Sequence, residues 1–286
     1  MASLQRIGLT GRESHPNDTV IQIGQTHVGA KEILVIADLC DGKGKSLLQS
    51  SEDSDELWLH AALLLQQAGV RMLRVGKYIP DASASPYRHH GFSQKGLYLL
   101  DRIRREMGFL VAIEVVEKSL VNAVADIADV LQVGTPNMHN FYLLQELGKA
   151  KKPVVIKRGL NASIEEWLTA AEYIMEGGNG EVILCERGHR SFEPDARTTL
   201  DLCAVAFAKN HSHLPVIVDV SHGTRLASLV PAMSKASIAA GADGLMIDVI
   251  NRQEDPSDEL QAVGLLTFSI LMGELGSVAL SVGSSM

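Results

Sequence analysis

Eight short apolar runs recur along the chain at a steady interval: 33–37 "ILVIA", 71–75 "RMLRV", 109–113 "FLVAI", 130–133 "VLQV", 154–157 "VVIK", 182–185 "VILC", 216–220 "VIVDV" and 245–249 "LMIDV". Each is too short for a helix and rich in β-branched residues. The segments between them, among them "DELWLHAALLLQQAG", "SLVNAVADIAD", "SIEEWLTAAEYIMEGG" and "RLASLVPAMSKASIAAGAD", carry apolar residues at helical spacing. Near-continuous apolar strands separated by helices predict a parallel sheet covered on both faces. Eight such units in about 250 residues match an α/β fold with a single (β/α)8 TIM barrel. An open doubly wound sheet is the alternative, but no glycine-rich fingerprint follows the first strand. Ahead of that strand, "TVIQIGQTHVGAKE" alternates around Gly24 and predicts a short N-terminal β-hairpin at 19–32, sealing the bottom of the barrel. Residues 1–18 read as a flexible N-terminal arm and 19–286 as one catalytic domain, since no linker or repeat divides the chain.

Composition narrows the class. With 46% hydrophobic and 21% charged residues, the chain suits a soluble globular protein with a sizeable core. A net charge of −8 gives no nucleic-acid footprint. No apolar run approaches the roughly 20 residues a membrane helix needs, and the first residues lack the apolar core of a signal peptide. A cytoplasmic protein with no membrane partner is expected. Three cysteines, Cys40, Cys185 and Cys203, make no disulfide framework and are expected to be reduced thiols.

In such barrels the chemistry sits at the C-terminal ends of the strands, and polar residues gather there. The first strand runs into Asp38 and Cys40, the second carries Arg74 and leads to Lys77, and the third ends at Glu114. The fourth leads to Asn137 and His139, the fifth ends with Lys157 and Arg158, and the sixth runs into Glu186, Arg187, His189 and Arg190. The seventh supplies Asp219 and His222 through "DVSH", and the eighth Asp248. Cys40, His222 and Asp248 come from strands that become neighbours when the barrel closes; a thiolate, an imidazole and a carboxylate make a divalent-metal site. The acidic loop "NRQEDPSDE" offers a fourth ligand, Asp258, with Glu254 and Asp255 as rivals. Singly, each residue has a structural explanation as a small buried Cys, a hydrogen-bonded His or a loop Asp. Arg74, Lys157, Arg187 and Arg190 form a second group, whose burial calls for an anion, either a substrate carboxylate or phosphate, or Glu114 and Glu186 from within.

On these residues the chain resembles the type I β subtype of the 3-deoxy-D-arabino-heptulosonate 7-phosphate (DAHP) synthases, and more distantly the 3-deoxy-octulosonate 8-phosphate synthases. The likeness runs from the hairpin to strand eight through "PVVIKRG", "SIEEWLTAAEYI", "GNGEVILCERGHRSFE", "TTLD", "SHLPVIVDVSH" and "SIAAGADGLMIDV". It implies a metal-dependent barrel joining phosphoenolpyruvate to an aldose phosphate, with a divalent cofactor (Mn2+, Co2+, Fe2+ or Zn2+) held by Cys40, His222, Asp248 and Asp258. Cys40 falls in the family's Gly-Pro-Cys-Ser loop, here "ADLCDG"; His222 falls in its Asp-Pro-Ser-His, here "DVSH"; Asp248 replaces a Glu. The phosphate-binding motifs depart further. Where the family carries Lys-Pro-Arg-Thr-Ser-Pro, this chain reads "YIPDASASP", with Ile79 for the Lys and Asp81 for the Arg. Where it carries Ala-Arg-Asn, this chain reads "TPNMHN", with Pro136 for the Arg.

The expectation is an aldol-type enzyme acting on a small-molecule 2-oxo acid or enolpyruvyl carboxylate, in specialised biosynthesis. Lys157 and His222 are its catalytic candidates, and Arg74, Lys157, Arg187, Arg190, Asn137 and His139 its substrate contacts. Burial and cationic neighbours are the means by which Lys157 would become a general acid or base. The alternatives are a genuine DAHP synthase condensing phosphoenolpyruvate with erythrose 4-phosphate, and a non-catalytic binding protein on the same barrel. Relatives of this shape suggest a homo-oligomer, a dimer or tetramer, and no feedback control is expected.

Overall fold

The computed structural model describes residues 8–40, 55–78, 91–92, 94–192, 198–250 and 261–286. A hairpin of β1 (Ile21–Ile23) and β2 (Thr26–Val28) precedes the barrel strands β3 (Leu34–Cys40) and β4 (Met72–Tyr78). After a two-residue β5 (Gly91–Phe92) come β6 (Leu110–Glu114), β7 (Val130–Val133), β8 (Val154–Lys157) and β9 (Val182–Glu186). The short β10 (His189–Arg190) and β11 (Thr198–Thr199) pair antiparallel, and β12 (Val216–Asp219) and β13 (Gly244–Ile250) complete the set, with β14 (Val263–Gly264) at the edge of β13. The eight long parallel strands run β3-β4-β6-β7-β8-β9-β12-β13, and β13 pairs with β3 to close the circle. Closure leaves no exposed edge among them, as the expected (β/α)8 TIM barrel requires.

Helices α1 (Asp55–Gln67), α2 (Gln94–Met107), α3 (Val121–Ala125), α4 (Phe141–Leu147), α5 (Ile164–Glu176) and α6 (Leu202–His211) follow successive strands. A one-turn α7 (Val220–Thr224), α8 (Val230–Ala239) and α9 (Leu265–Ser281) complete the chain. Their starts are chemically marked. Ser163 and Glu166 form a reciprocal capping box on α5, and Asn140 and Asp201 cap α4 and α6 through their side chains.

Strand pleating divides the core in two. Val35, Ala37 and Leu39 of β3 face the helices, in one cluster with Trp58, Trp167 and Phe268. Leu34 and Ile36 face inward and meet Met72, Ala112, Val130, Val155, Ile183, Ile217 and Met246. Ile21, Ile23 and Val28 of the hairpin belong to this inner cluster. The hairpin therefore stoppers the lower end, as its alternating pattern predicted. Residues 8–18, expected as a flexible arm, are fastened along the barrel: Gly11 bridges to Ser212, Thr10 bonds to Glu172 and Arg12 donates to the carbonyl of Lys209.

Ile21→Ala should cost about 2–4 kcal/mol by opening a cavity beneath the inner cluster. Val20→Ala, at an exposed neighbour, should change stability by under about 0.5 kcal/mol. Urea unfolding followed by tryptophan fluorescence distinguishes the two.

Candidate active site

Two residues above the apolar inner layer, the same inward columns turn polar. Asp38 continues Leu34 and Ile36, Arg74 continues Met72, Glu114 continues Ala112, and Gln132 continues Val130. Lys157 continues Val155, Asp219 continues Ile217 and Asp248 continues Met246. All seven are buried. A ring of charge in so dry a place must be internally matched, and the strand register supplies the matches: Asp38 lies opposite Arg74 on one side and Asp248 on the other.

Arg74, only 9% exposed, donates through Nη1 to Asp38 and through Nη2 to Glu114 at 3.2 Å. Glu114 also accepts from Gln132 at 3.4 Å and faces the half-buried Lys77 at 3.5 Å. A side chain at Gly134 would collide with the Glu114 carboxylate, so glycine there is a packing requirement. Burial pushes the Asp38 carboxyl up to about 6 despite Arg74 beside it.

Lys157 donates to Asp219, which is fully buried. Asp219 is also the N-cap of α7: its Oδ1 accepts from the His222 backbone N–H at 3.1 Å, and His222 Nδ1 lies 3.1 Å from the same oxygen. Burial acts to raise the Asp219 carboxyl, but His222 and Lys157 together outweigh it and hold it well below the usual carboxylate range. In "DVSH", then, Asp219 caps the turn and His222 is swung toward the mouth. Ser221 Oγ accepts the backbone N–H of Asp248 at 2.9 Å, tying strands seven and eight together.

His222 Nδ1 lies 3.7 Å from Asp248 Oδ1, and ligand atoms of Asp219, His222 and Asp248 come within 4.8 Å of one another. Asp248 Oδ2 accepts from Gln261, but its buried Oδ1 has no hydrogen-bond partner. An imidazole and two carboxylates with an orphaned oxygen between them suit a divalent cation.

At the end of β9, Glu186 and the following Arg187 divide their work. Glu186 pairs with Arg158 at 3.0 Å and accepts the Gly188 N–H at 2.7 Å, behind the site. Arg187 is 6% exposed, and its Nη1 is buried without a partner. Burial pushes the Cys185 thiol up to about 12, partly countered by Lys157 and Arg187, which makes it a neutral packing residue.

The sequence fits the model of the DAHP synthetase I family over residues 48–280. The chain belongs to that family. Membership makes it an aldolase-type enzyme of carbon–carbon bond formation. Over 276 residues, 96% of this chain and 78% of the relative, it is 38% identical to the phospho-2-dehydro-3-deoxyheptonate aldolase of Thermotoga maritima. Over 189 residues, 63% of this chain and 65% of the relative, it is 32% identical to a 2-dehydro-3-deoxyphosphooctonate aldolase of Acidithiobacillus ferrooxidans. The crystal structure of the Thermotoga maritima DAHP synthase matches with a TM-score of 0.85 at 37% identity, covering 97% of this chain and 78% of that one. A truncated form of the Thermotoga maritima enzyme matches at 0.84 and 36% identity, covering 97% and 98%.

Within this DAHP synthetase framework, the residues picked from the sequence separate. His222 and Asp248 meet, joined by Asp219, which sequence reasoning had placed at the strand end without a role. Cys40 sits at the tip of β3, in register with Ile250 and packed with it and Ala262, two residues above Asp38; it is not in the cluster of Asp219, His222 and Asp248. Asp258, Glu254 and Asp255 lie outside the described residues, as do Ile79 and Asp81. Lys157 has a carboxylate as its near neighbour, where cations were expected. Arg190 and His139 are exposed, His139 lying 4.0 Å from Glu166. Asn137 is half-buried in the turn after β7 and accepts from Asn140.

Asp219→Leu should cost about 3–5 kcal/mol, because it strands the Lys157 ammonium in a buried site. The double replacement Lys157→Met/Asp219→Leu should recover most of that loss, read as the denaturant midpoint of the three proteins.

Proposed function

We propose that the chain catalyses aldol-type carbon–carbon bond formation or cleavage on a 2-oxo acid or enolpyruvyl carboxylate, with a divalent ion in the mouth. The observation that carries the reading is Arg187: a buried guanidinium with an unpartnered Nη1, beside a ring whose other cations already have carboxylates. A substrate carboxylate is the natural complement of such a fork. Among the described residues the mouth sets four carboxylates, Asp38, Glu114, Asp219 and Asp248, against Arg74, Lys77, Lys157 and Arg187. Those side-chain charges cancel, so any excess positive charge for substrate would come from the bound ion.

His222 and Asp248 would hold the ion, with Asp219 within reach and Cys40 and Asp258 as the further ligands the family resemblance suggests. When bound, such an ion supplies a Lewis acid for a carbonyl oxygen. The protein's own groups do the rest. Arg187 anchors the carboxylate and fixes its plane. Lys157 Nζ, already donating to Asp219, is arranged to give a proton to a developing oxyanion. Asp219 holds the His222 ring through Nδ1 and so fixes its orientation at the site. The barrel's stoppered lower end keeps water from reaching this layer from below.

A second reading keeps the reaction named for the Thermotoga maritima relative, and the 38% identity over 96% of the chain favours it. Both are tested together. With Mn2+ present, pyruvate should bind in a calorimetric titration, and Arg187→Ala should weaken it about tenfold or more, the loss of a charged hydrogen bond. Phosphoenolpyruvate with erythrose 4-phosphate should release no phosphate; rapid release would establish the second reading. Elemental analysis should find about one divalent ion per chain, lost in His222→Ala with Asp248→Asn; metal-free wild-type protein would remove the ion from the proposal.

A further inference from the structure

Building on the carboxylate reading, we infer that Asp38 is a specificity-determining residue: by occupying Arg74 from inside the barrel, it withdraws that guanidinium from substrate and bars a phosphate group from this side of the mouth. When the chain is aligned on Cys40, Asp38 takes the place of the glycine in the family's Gly-Pro-Cys-Ser loop, and a glycine has no side chain to offer. In this chain the position carries a carboxylate on the inward column of β3, directly in register with Arg74. Arg74 spends Nη1 on Asp38 and Nη2 on Glu114. Both Nη ends of its fork are engaged and its charge is met twice over, while its buried Nε has no hydrogen-bond partner.

The consequence is chemical. A phosphate approaching Arg74 would have to displace a buried carboxylate held by a charged hydrogen bond. It would then face that carboxylate across the same pocket, a like-charge contact that discriminates against dianions. Glu114 alone does not produce this effect, since it also answers Lys77 and Gln132. Asp38 makes its charged hydrogen bond to Arg74, and among the described residues its other oxygen is buried without a hydrogen-bond partner. Its one hydrogen-bonded partner in the ring is therefore Arg74. Arg187, on the opposite arc at the end of β9, keeps its unpartnered nitrogen for a carboxylate. The site thus reads one anionic group and refuses a second.

The test uses three probes on the full-length protein: pyruvate, phosphoenolpyruvate and inorganic phosphate, each titrated calorimetrically into wild type, Asp38→Asn and Asp38→Gly. In wild type, phosphoenolpyruvate should bind within about threefold of pyruvate, because its phosphate finds no open cation. In either variant, phosphoenolpyruvate and inorganic phosphate should each gain about tenfold or more, while pyruvate changes by less than about threefold. Two variants guard against a folding failure in one, which circular dichroism detects. Wild-type protein that binds phosphoenolpyruvate more than about tenfold tighter than pyruvate would overturn the inference, whether or not the variants fold. So would folded variants with no phosphate gain, or with an equal gain for pyruvate. If pyruvate fails to bind wild type, the carboxylate reading falls by itself. The Asp38 inference is still decided then by the inorganic phosphate arm.

Discussion

A closed barrel of eight strands has an interior with room for side chains and almost none for water, and this constraint organises the rest of the molecule. Every second residue of each strand is delivered into that space by the pleat. Low down, the delivery is of Leu34, Ile36, Met72, Val155 and Ile217, and the hairpin completes the seal. Two residues higher it is of Asp38, Arg74, Glu114, Lys157, Asp219 and Asp248. Charges held there cannot be satisfied by solvent, so each must find its counterpart through strand register. The active-site layer is for this reason a network, in which no member can be read in isolation.

The network explains why a list of basic residues is a poor guide to what the pocket can hold. Arg74 and Lys157 are present, buried and near the mouth, yet each is turned toward a carboxylate of its own chain. Burying a charge pair of this kind gains little stability over an apolar pair, but breaking one is severe. Such pairs therefore hold their members at fixed places in the pocket wall. Among the described residues, pairing leaves a few buried atoms of this layer without a hydrogen-bond partner, among them Arg187 Nη1, Asp248 Oδ1, Asp38 Oδ1 and Arg74 Nε.

Much of the fold was legible in the sequence because it rests on local periodicity. The eight apolar runs fall on the eight barrel strands, with ends shifted by at most three residues. The largest shifts are at β3 and β4, where polar residues such as Asp38 and Lys77 continue the strand past its apolar part. The seventh strand stops at Asp219 and not at Val220, because Asp219 caps a helical turn that begins there. Composition suggested a loose start to the chain, yet residues 8–18 are held by Ser212, Glu172 and Lys209, partners about 160–200 positions away in sequence that no local pattern reveals. The candidate residues were legible as an inventory, and His222 and Asp248, taken from neighbouring strand ends, lie 3.7 Å apart. The roles of Asp38, Glu114 and Asp219 were not legible, since an acidic residue at a strand end looks the same whether it binds a metal, a lysine or an arginine. Only the register decides.

Asp219 holds three obligations at once: it caps α7, receives Lys157 and steadies the ring of His222. Asparagine or serine would cap the turn but bring no charge to the lysine. Glutamate would bring the charge, but its longer stem is a poor fit to the cap. The shape of a loop and the protonation of a pocket are thereby fastened to a single side chain, leaving evolution no route to alter one without disturbing the other.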